Sequence, residues 1–238
     1  MKKDAAKVAR FGPIDTRTLV ERVVDSIVES AARGLILPGD RVVEAEVARE
    51  LNISRVPVRE AFRQLESQGI VVNTPYRGMR LMDVSVERLE KTLKVRVALE
   101  TLAAEEVRQK AGEDPAILEP LDELVEDMRE AARVGDTYAL ARLDTEFHEV
   151  MCKLTGNEVL LMAWTPVSLQ LTIIFGLSAL QKEPGEIVVE HEEIMAALRS
   201  PDAAALEALM RFHIFDQGKE VDHATFIARL RIGKDRGA

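Results

Sequence analysis

The stretch Asp144-Thr145-Glu146-Phe147-His148 sets a carboxylate and an imidazole four residues apart, one turn along the same face if the segment is helical. Such a pair serves as a surface or hydrogen-bonded contact, or supplies two ligands of a metal site completed elsewhere in the chain. The chain holds four histidines: His148, His191, His213 and His223. His191 and His213 fall on the last two long helical patterns, so three helices of one bundle could aim Asp144 and three imidazoles at a common interior point. Apolar residues surround each of them: Phe147 and Met151, Ile194 and Leu198, Phe212 and Phe215. Uncoordinated imidazoles packed there would have to stay neutral and find hydrogen-bond partners, whereas a divalent cation would use them all. Three imidazoles and a carboxylate suit zinc first, with nickel, iron or manganese as alternatives, and disfavour calcium and magnesium, which take all-oxygen shells. Cys152, one turn beyond His148, is expected to be packing, and His223 is expected to be a non-ligand.

A second constellation lies nearer the N-terminus. In Ser54-Arg-Val-Pro-Val-Arg-Glu-Ala-Phe-Arg-Gln-Leu-Glu66, Val58, Ala61, Phe62 and Leu65 form a buried helical stripe while Arg55, Arg59 and Arg63 recur every four residues on another face. Guanidinium groups in such a row fork onto guanine edges in a major groove or onto phosphates; the plainer reading is a solvated face with Arg–Glu pairs.

The elements that must position these residues can be read from periodicity and punctuation. Apolar residues from Val20 to Ala31 mark a first helix over 18–32, stopped by Gly34. After Leu37-Pro-Gly-Asp40, a shorter helix over 44–51 should turn Val47, Ala48 and Leu51 inward, and Asn52 suits the tight turn that follows. Ser54 is placed to cap a third helix, Pro57 sits in its first turn, and Gly69 ends it. Two β-rich pieces, 70–73 and 79–82, flank Thr74-Pro-Tyr-Arg-Gly78 as a hairpin. Three helices plus a hairpin is the winged helix-turn-helix layout. From Ser85 onward the pattern is helical, with breaks at 112–115, 135–136, 156–157, 183–185 and 200–202 that delimit about six helices. The expected fold is mainly α: an arm over 1–17, a winged helix-turn-helix over 18–82 and an all-α bundle over 83–238.

Composition agrees with a folded chain of two domains, at 238 residues and 47% hydrophobic. The net charge of −9 hides an asymmetry: residues 1–80 hold 14 Lys+Arg against 11 Asp+Glu, and residues 81–238 hold 18 against 30. A mildly basic head on an acidic body is compatible with a DNA-binding module joined to a sensing domain. No secretory signal core follows the charged N-terminus, and the most apolar run, 159–180, is interrupted by Trp164, Pro166, Gln170 and Gly176. The expectation is a cytoplasmic protein without a membrane partner, and one cysteine excludes an internal disulfide.

Residues 18–82, through Leu37-Pro-Gly-Asp40, the E-x-x-x-A-x-x-L of 44–51 and the S-R-x-P-V-R-E-A-x-x-x-L-E-x-x-G of 54–69, resemble the winged-helix head of GntR-superfamily transcription regulators. The resemblance implies that Arg55 and Arg59 contact operator DNA and that the wing tip, Arg77-Gly78, reaches toward the minor groove. Ala45 stands where that family usually has an arginine, which leaves the operator sequence open. The D-x-x-x-H of 144–148, Thr155-Gly-Asn157, the block 191–198 and His213 resemble the metal-binding form of the FCD domain in FadR-like members. That resemblance implies Asp144, His148, His191 and His213 as ligands and an effector carboxylate near the metal. Arg96 and Glu100 match its R-x-x-x-E element. Arg96 could pair with the effector, or the two could form an intrahelical ion pair. Trp164 is expected in the core or in the wall of an effector pocket.

The leading expectation is therefore a homodimer that binds double-stranded operator DNA under control of a small carboxylate. One head reads only a few base pairs, so useful specificity needs two half-sites. The alternatives are a regulator for which the metal is the signal, a purely structural metal, and a metal-dependent hydrolase. For the last, no nucleophile motif is present, and Glu192 points about 100° away from His191 around a helix.

Overall fold

A computed structural model of the chain describes residues 18–179 and 183–220, together with positions 225, 228 and 232. The 1–17 arm and His223 lie outside the described residues. Helix α1 (Leu19–Ala32) starts at a reciprocal cap, the Thr18 hydroxyl accepting from the Glu21 amide and the Glu21 carboxylate from the Thr18 amide. Its stripe Val23, Val24, Ile27, Val28 and Ala31 is buried against α3. The Asp40 carboxylate closes the following turn by accepting from the Leu37 amide. Helix α2 (Glu44–Glu50) buries Ala48, half-buries Val47 and leaves Leu51 exposed. Leu51 was expected inward; it caps the helix just before the Asn52 reversal (φ 53°), and Ile53 packs on the core instead.

Helix α3 (Arg55–Ser67) buries Val58, Ala61, Phe62 and Leu65, as its period requires. Ser54 stands at the N-cap position, but its side chain makes no capping bond. Strands β1 (Val71–Thr74) and β2 (Gly78–Leu81) pair antiparallel from Val71 opposite Leu81 to Thr74 opposite Gly78. Arg41 forms an isolated bridge to Arg80 and the Val42 amide donates to the Met79 carbonyl, so the segment before α2 lies along the edge of the two-stranded wing.

The body opens with the 28-residue α4 (Val86–Glu113), about 42 Å long at 1.5 Å per residue. It stops at Asp114, inside the break expected over 112–115, and the Asp114 side chain caps the 3₁₀ turn Pro115–Leu118. Then come α5 (Glu119–Val134), α6 (Thr137–Leu154), α7 (Glu158–Ala179), α8 (Pro184–Leu198) and α9 (Ala203–Arg211). A π turn over Phe212–Asp216 leads into α10 (Gln217–Glu220).

Helix α7 is long and apolar enough by composition to pass for a membrane span, with mean hydropathy 1.7 over Glu158–Leu177. The interruptions read at Trp164, Pro166, Gln170 and Gly176 carry no charge and do not keep the run below that limit. Here the helix packs against α6 and α1.

Head and body share one interface. A Cβ on Gly176 of α7 would lie 2.5 Å from the Ala32 Cβ and 2.9 Å from its backbone, so only hydrogen fits where α1 crosses α7. Beside that crossing, Arg88 Nη2 donates to the Gly69 carbonyl (3.3 Å) and to Gln170 Oε1 (3.0 Å), and Gln170 Nε2 donates to the Gln68 carbonyl (2.8 Å). The C-terminal end of α3 is thereby tied to the body.

Candidate functional site

Helix α6 carries Asp144 and His148 on one face, α8 presents His191, and the π turn presents His213. One extra residue per turn at 212–216 rotates His213 relative to an uninterrupted helix, a local adjustment common where a helix must aim a functional side chain. The four side chains converge, with no donor atom more than 4.8 Å from another. His148 Nε2 lies 3.2 Å from His213 Nε2, and His191 Nε2 lies 3.4 Å from Asp144 Oδ1. Both separations match the edge of about 3.3 Å in a tetrahedral shell with bonds of about 2.0–2.1 Å.

The other nitrogen of the His191 ring explains its orientation. His191 Nδ1 is 2.8 Å from the Ile187 carbonyl. A carbonyl only accepts, so Nδ1 carries the hydrogen and Nε2 is a bare lone pair. That lone pair faces Asp144 Oδ1, another acceptor, and His191 Nε2 and Asp144 Oδ2 are buried without a hydrogen-bond partner among the described residues. His148 Nδ1 stands 2.7 Å from Glu100 Oε2, and His213 Nδ1 stands 3.3 Å from Glu190 Oε2. Neither of those Nδ1 atoms makes a hydrogen bond among the described residues, so the His191 lone pair and the Asp144 carboxylate meet the facing His148 and His213 Nε2 atoms in a dry interior. Unpaired acceptors so placed are costly, and a cation removes the conflict. Acceptors behind metal-ligating imidazoles have this same role of fixing tautomer and ring angle. The set could hold a divalent transition metal.

Electrostatics point the same way. Burial holds His148 well below the usual imidazole range, with Arg96 adding to the effect, and lowers His191 to about 4. Both rings are neutral at pH 7, the form that binds metal. Burial also raises the Glu100 carboxyl against the pull of Arg96.

The intrahelical Arg96–Glu100 pair is present at 2.5 Å and is buried. Glu100 thus touches both Arg96 and His148, a link that sequence spacing did not reveal. Arg96 Nη2 lacks a partner among the described residues, and its guanidinium lies 4.8 Å from the Phe175 ring centre and 5.9 Å from that of Trp164. Trp164 is fully buried, and its Nε1 is likewise unpartnered. Cys152 is buried, burial pushes its thiol up, and it is absent from the donor set. Glu192 turns outward to Arg129 at 2.7 Å, as its angle from His191 requires. Glu190 was not singled out, because its role depends on how α8 meets the π turn rather than on spacing.

In the head, Arg55, Arg59 and Arg63 are exposed along one side of α3, with Ser54 at its start. Arg59 is held loosely, its Nε 3.6 Å from Glu44 Oε2. Arg77 is exposed at the hairpin turn beside Gly78 (φ 75°). Tyr76, also at positive φ and wholly exposed, shares that tip and was passed over in the sequence; its signal was the Thr-Pro-Tyr-Arg-Gly turn itself.

Comparison with known proteins matches two stretches of the chain. Residues 19–81 match the family described as bacterial regulatory proteins, gntR family, and residues 91–216 match the FCD domain. The "Probable D-xylose utilization operon transcriptional repressor" of Paenarthrobacter nicotinovorans is 30% identical over 84% of this chain and 87% of its own length. The gluconate operon transcriptional repressor of Bacillus licheniformis is 26% identical over 79% of each chain. The solved structure of E. coli McbR/YncC has the same fold, with a TM-score of 0.69 at 20% identity over 90% of this chain and 99% of that one. A winged head joined to an FCD body, in both profile and fold, makes this chain a member of the GntR family of bacterial transcription regulators.

Proposed function

We propose that the chain is a dimeric transcriptional repressor of the cytoplasm whose operator affinity is set by a small organic acid bound at or beside a divalent transition metal, zinc in the first instance. The observation that carries this reading is the buried, unpartnered His191 Nε2 facing Asp144 Oδ1, with His148 and His213 closing the same point. When bound, the metal would supply a fixed positive centre that could take a carboxylate oxygen by expanding its coordination beyond the four protein ligands.

The protein residues do the rest. The Ile187 carbonyl orients His191, while Glu100 and Glu190 place carboxylate oxygens beside His148 and His213. Arg96 Nη2 and Trp164 Nε1, both buried donors without partners among the described residues, suit an acid's oxygens. A relative named for the gluconate operon fits an acid as the controlling compound. Arg55, Arg59 and Arg63 enter the major groove, Ser54 approaches the backbone at the start of α3, and Arg77 with Gly78 follows the minor groove. Dimerisation is supported by apolar side chains left exposed on adjoining helices: Val159 and Met162 on α7, and Val95 and Leu102 on α4.

Coupling has a physical route. Helix α6, which bears Asp144 and His148, contacts α7 through the Thr172 hydroxyl, which donates to Thr145 Oγ1 at 3.2 Å. Helix α7 in turn carries Gly176 against Ala32 and Gln170 against the end of α3. An acid that shifts α6 therefore moves the head, provided it binds the two arrangements unequally.

A second reading makes the metal itself the signal, and the complete burial of His148 and His191 favours it. The two separate in one titration. Metal-loaded protein on a duplex selected in vitro from random DNA should change affinity at least about tenfold with the right member of a panel of sugar acids and hydroxy acids, a coupling of about 1.4 kcal/mol. Chelated protein should not respond to that acid. Affinity that follows free metal and ignores every acid would replace the first reading by the second.

A further inference from the structure

Between the wing and the start of α3 lies an open cleft whose lining includes Arg41, Ala45, Arg55 and Gly78. Its walls are the two parts of the head that enter neighbouring grooves of a duplex, so the strand of backbone that divides the grooves must pass across it. Arg41 is exposed there and makes no ion pair or side-chain hydrogen bond with any described residue. Its guanidinium rests on the wing tip, Nε 3.6 Å and Nη2 3.9 Å from where a Cβ on Gly78 would be. The backbone under it is rigid, because Arg41 bridges to Arg80 and the next amide donates to Met79 at 3.0 Å. Ala45 offers only a methyl group, which leaves the cleft open, and the acidic wall residue Glu44 is turned toward Arg59.

We propose that Arg41 is a phosphate-binding residue of the head, holding the DNA backbone between the groove read by α3 and the groove entered by the wing. The proposal rests on the reading of α3 and the wing as the DNA-facing surface. A guanidinium whose backbone is anchored at the wing edge, with no acid paired to it among the described residues, suits a phosphate in charge and in fork geometry. Phosphate contacts set register without reading sequence, so Arg41 should act on all duplexes alike.

The test is a salt series of binding measurements with the full chain on two duplexes, one selected in vitro by the wild-type protein from random DNA and one with that sequence scrambled. Arg41→Ala should weaken both about tenfold and lower the slope of log affinity against log salt by about one per head. Arg41→Lys should keep the slope. Circular dichroism should be unchanged in both variants, because the strand contacts of Arg41 run through the backbone. Unchanged affinity and slope in Arg41→Ala, with Arg59→Ala still impaired, would overturn the proposal alone, as would a loss confined to the selected duplex. Normal binding by Arg59→Ala would instead remove the head reading on which the proposal stands.

Discussion

Arg59→Ala is expected to reduce affinity for the selected operator about a thousandfold while leaving the fold intact. Arg59 is the middle arginine of the exposed row on α3, and it has no strong partner to give up on meeting DNA. Its contact with Glu44 is 3.6 Å long, with 59% of the arginine side chain exposed. An ion pair of that kind stabilises the free protein by less than about 1 kcal/mol. A guanidinium forked onto a guanine edge contributes about 1–3 kcal/mol. A dimer loses the contact twice, so the sum is about 4 kcal/mol, or about three powers of ten. The thermal midpoint should barely move, because nothing buried is disturbed. Fluorescence anisotropy on the selected and scrambled duplexes measures the effect. A comparable loss on both would make Arg59 a phosphate contact, and no loss on either would refute the assignment of α3.

The second large effect belongs to the body. Metal-loaded wild-type protein should melt about 10 °C above the same protein after chelation, and His191→Ala should show no such difference. A ligand that binds only the folded state stabilises it by about 4 kcal/mol at a thousandfold excess over its dissociation constant. For a domain of this size each kcal/mol is worth about 2–4 °C. Alanine at 191 also removes a ring packed on Phe147 at 4.9 Å between centres, so the variant will be less stable with or without metal. The informative quantity is therefore the metal-dependent shift within each protein. An equal shift in both would place the ion away from His191.

Much of the head was legible because its turns need particular residues. Gly34, Gly39, Asn52, Gly69 and Gly78 all adopt positive φ, and each stands where the hydrophobic period breaks. The stripes of α1 and α3 follow directly from spacing. The break read at 112–115 falls where Asp114 and Pro115 terminate α4, although the helix itself continues through Gly112. Leu51 misled because a residue at a helix end points where the following turn sends it.

In the body, the four donors were legible as residue types, since few roles suit three histidines among apolar neighbours. Their support was not. Glu100 reaches His148 from another helix, and Glu190 reaches His213 across the junction of α8 with the π turn. Those contacts depend on crossing angles and on one extra residue in a turn, neither of which leaves a periodic trace. The Gly176–Ala32 crossing is equally silent in sequence, because a glycine in an apolar helix reveals nothing of the helix that lies against it.

The central claim is that Asp144, His148, His191 and His213 hold a metal ion. Its most direct test is elemental analysis of untagged protein purified without chelator, beside the variant carrying Asp144→Ala, His148→Ala, His191→Ala and His213→Ala together. The account predicts close to one transition-metal ion per chain in the wild type and none in the variant. Metal-free wild-type protein that stays so after reconstitution, or equal metal in both proteins, would contradict it and leave these side chains as part of a metal-free core.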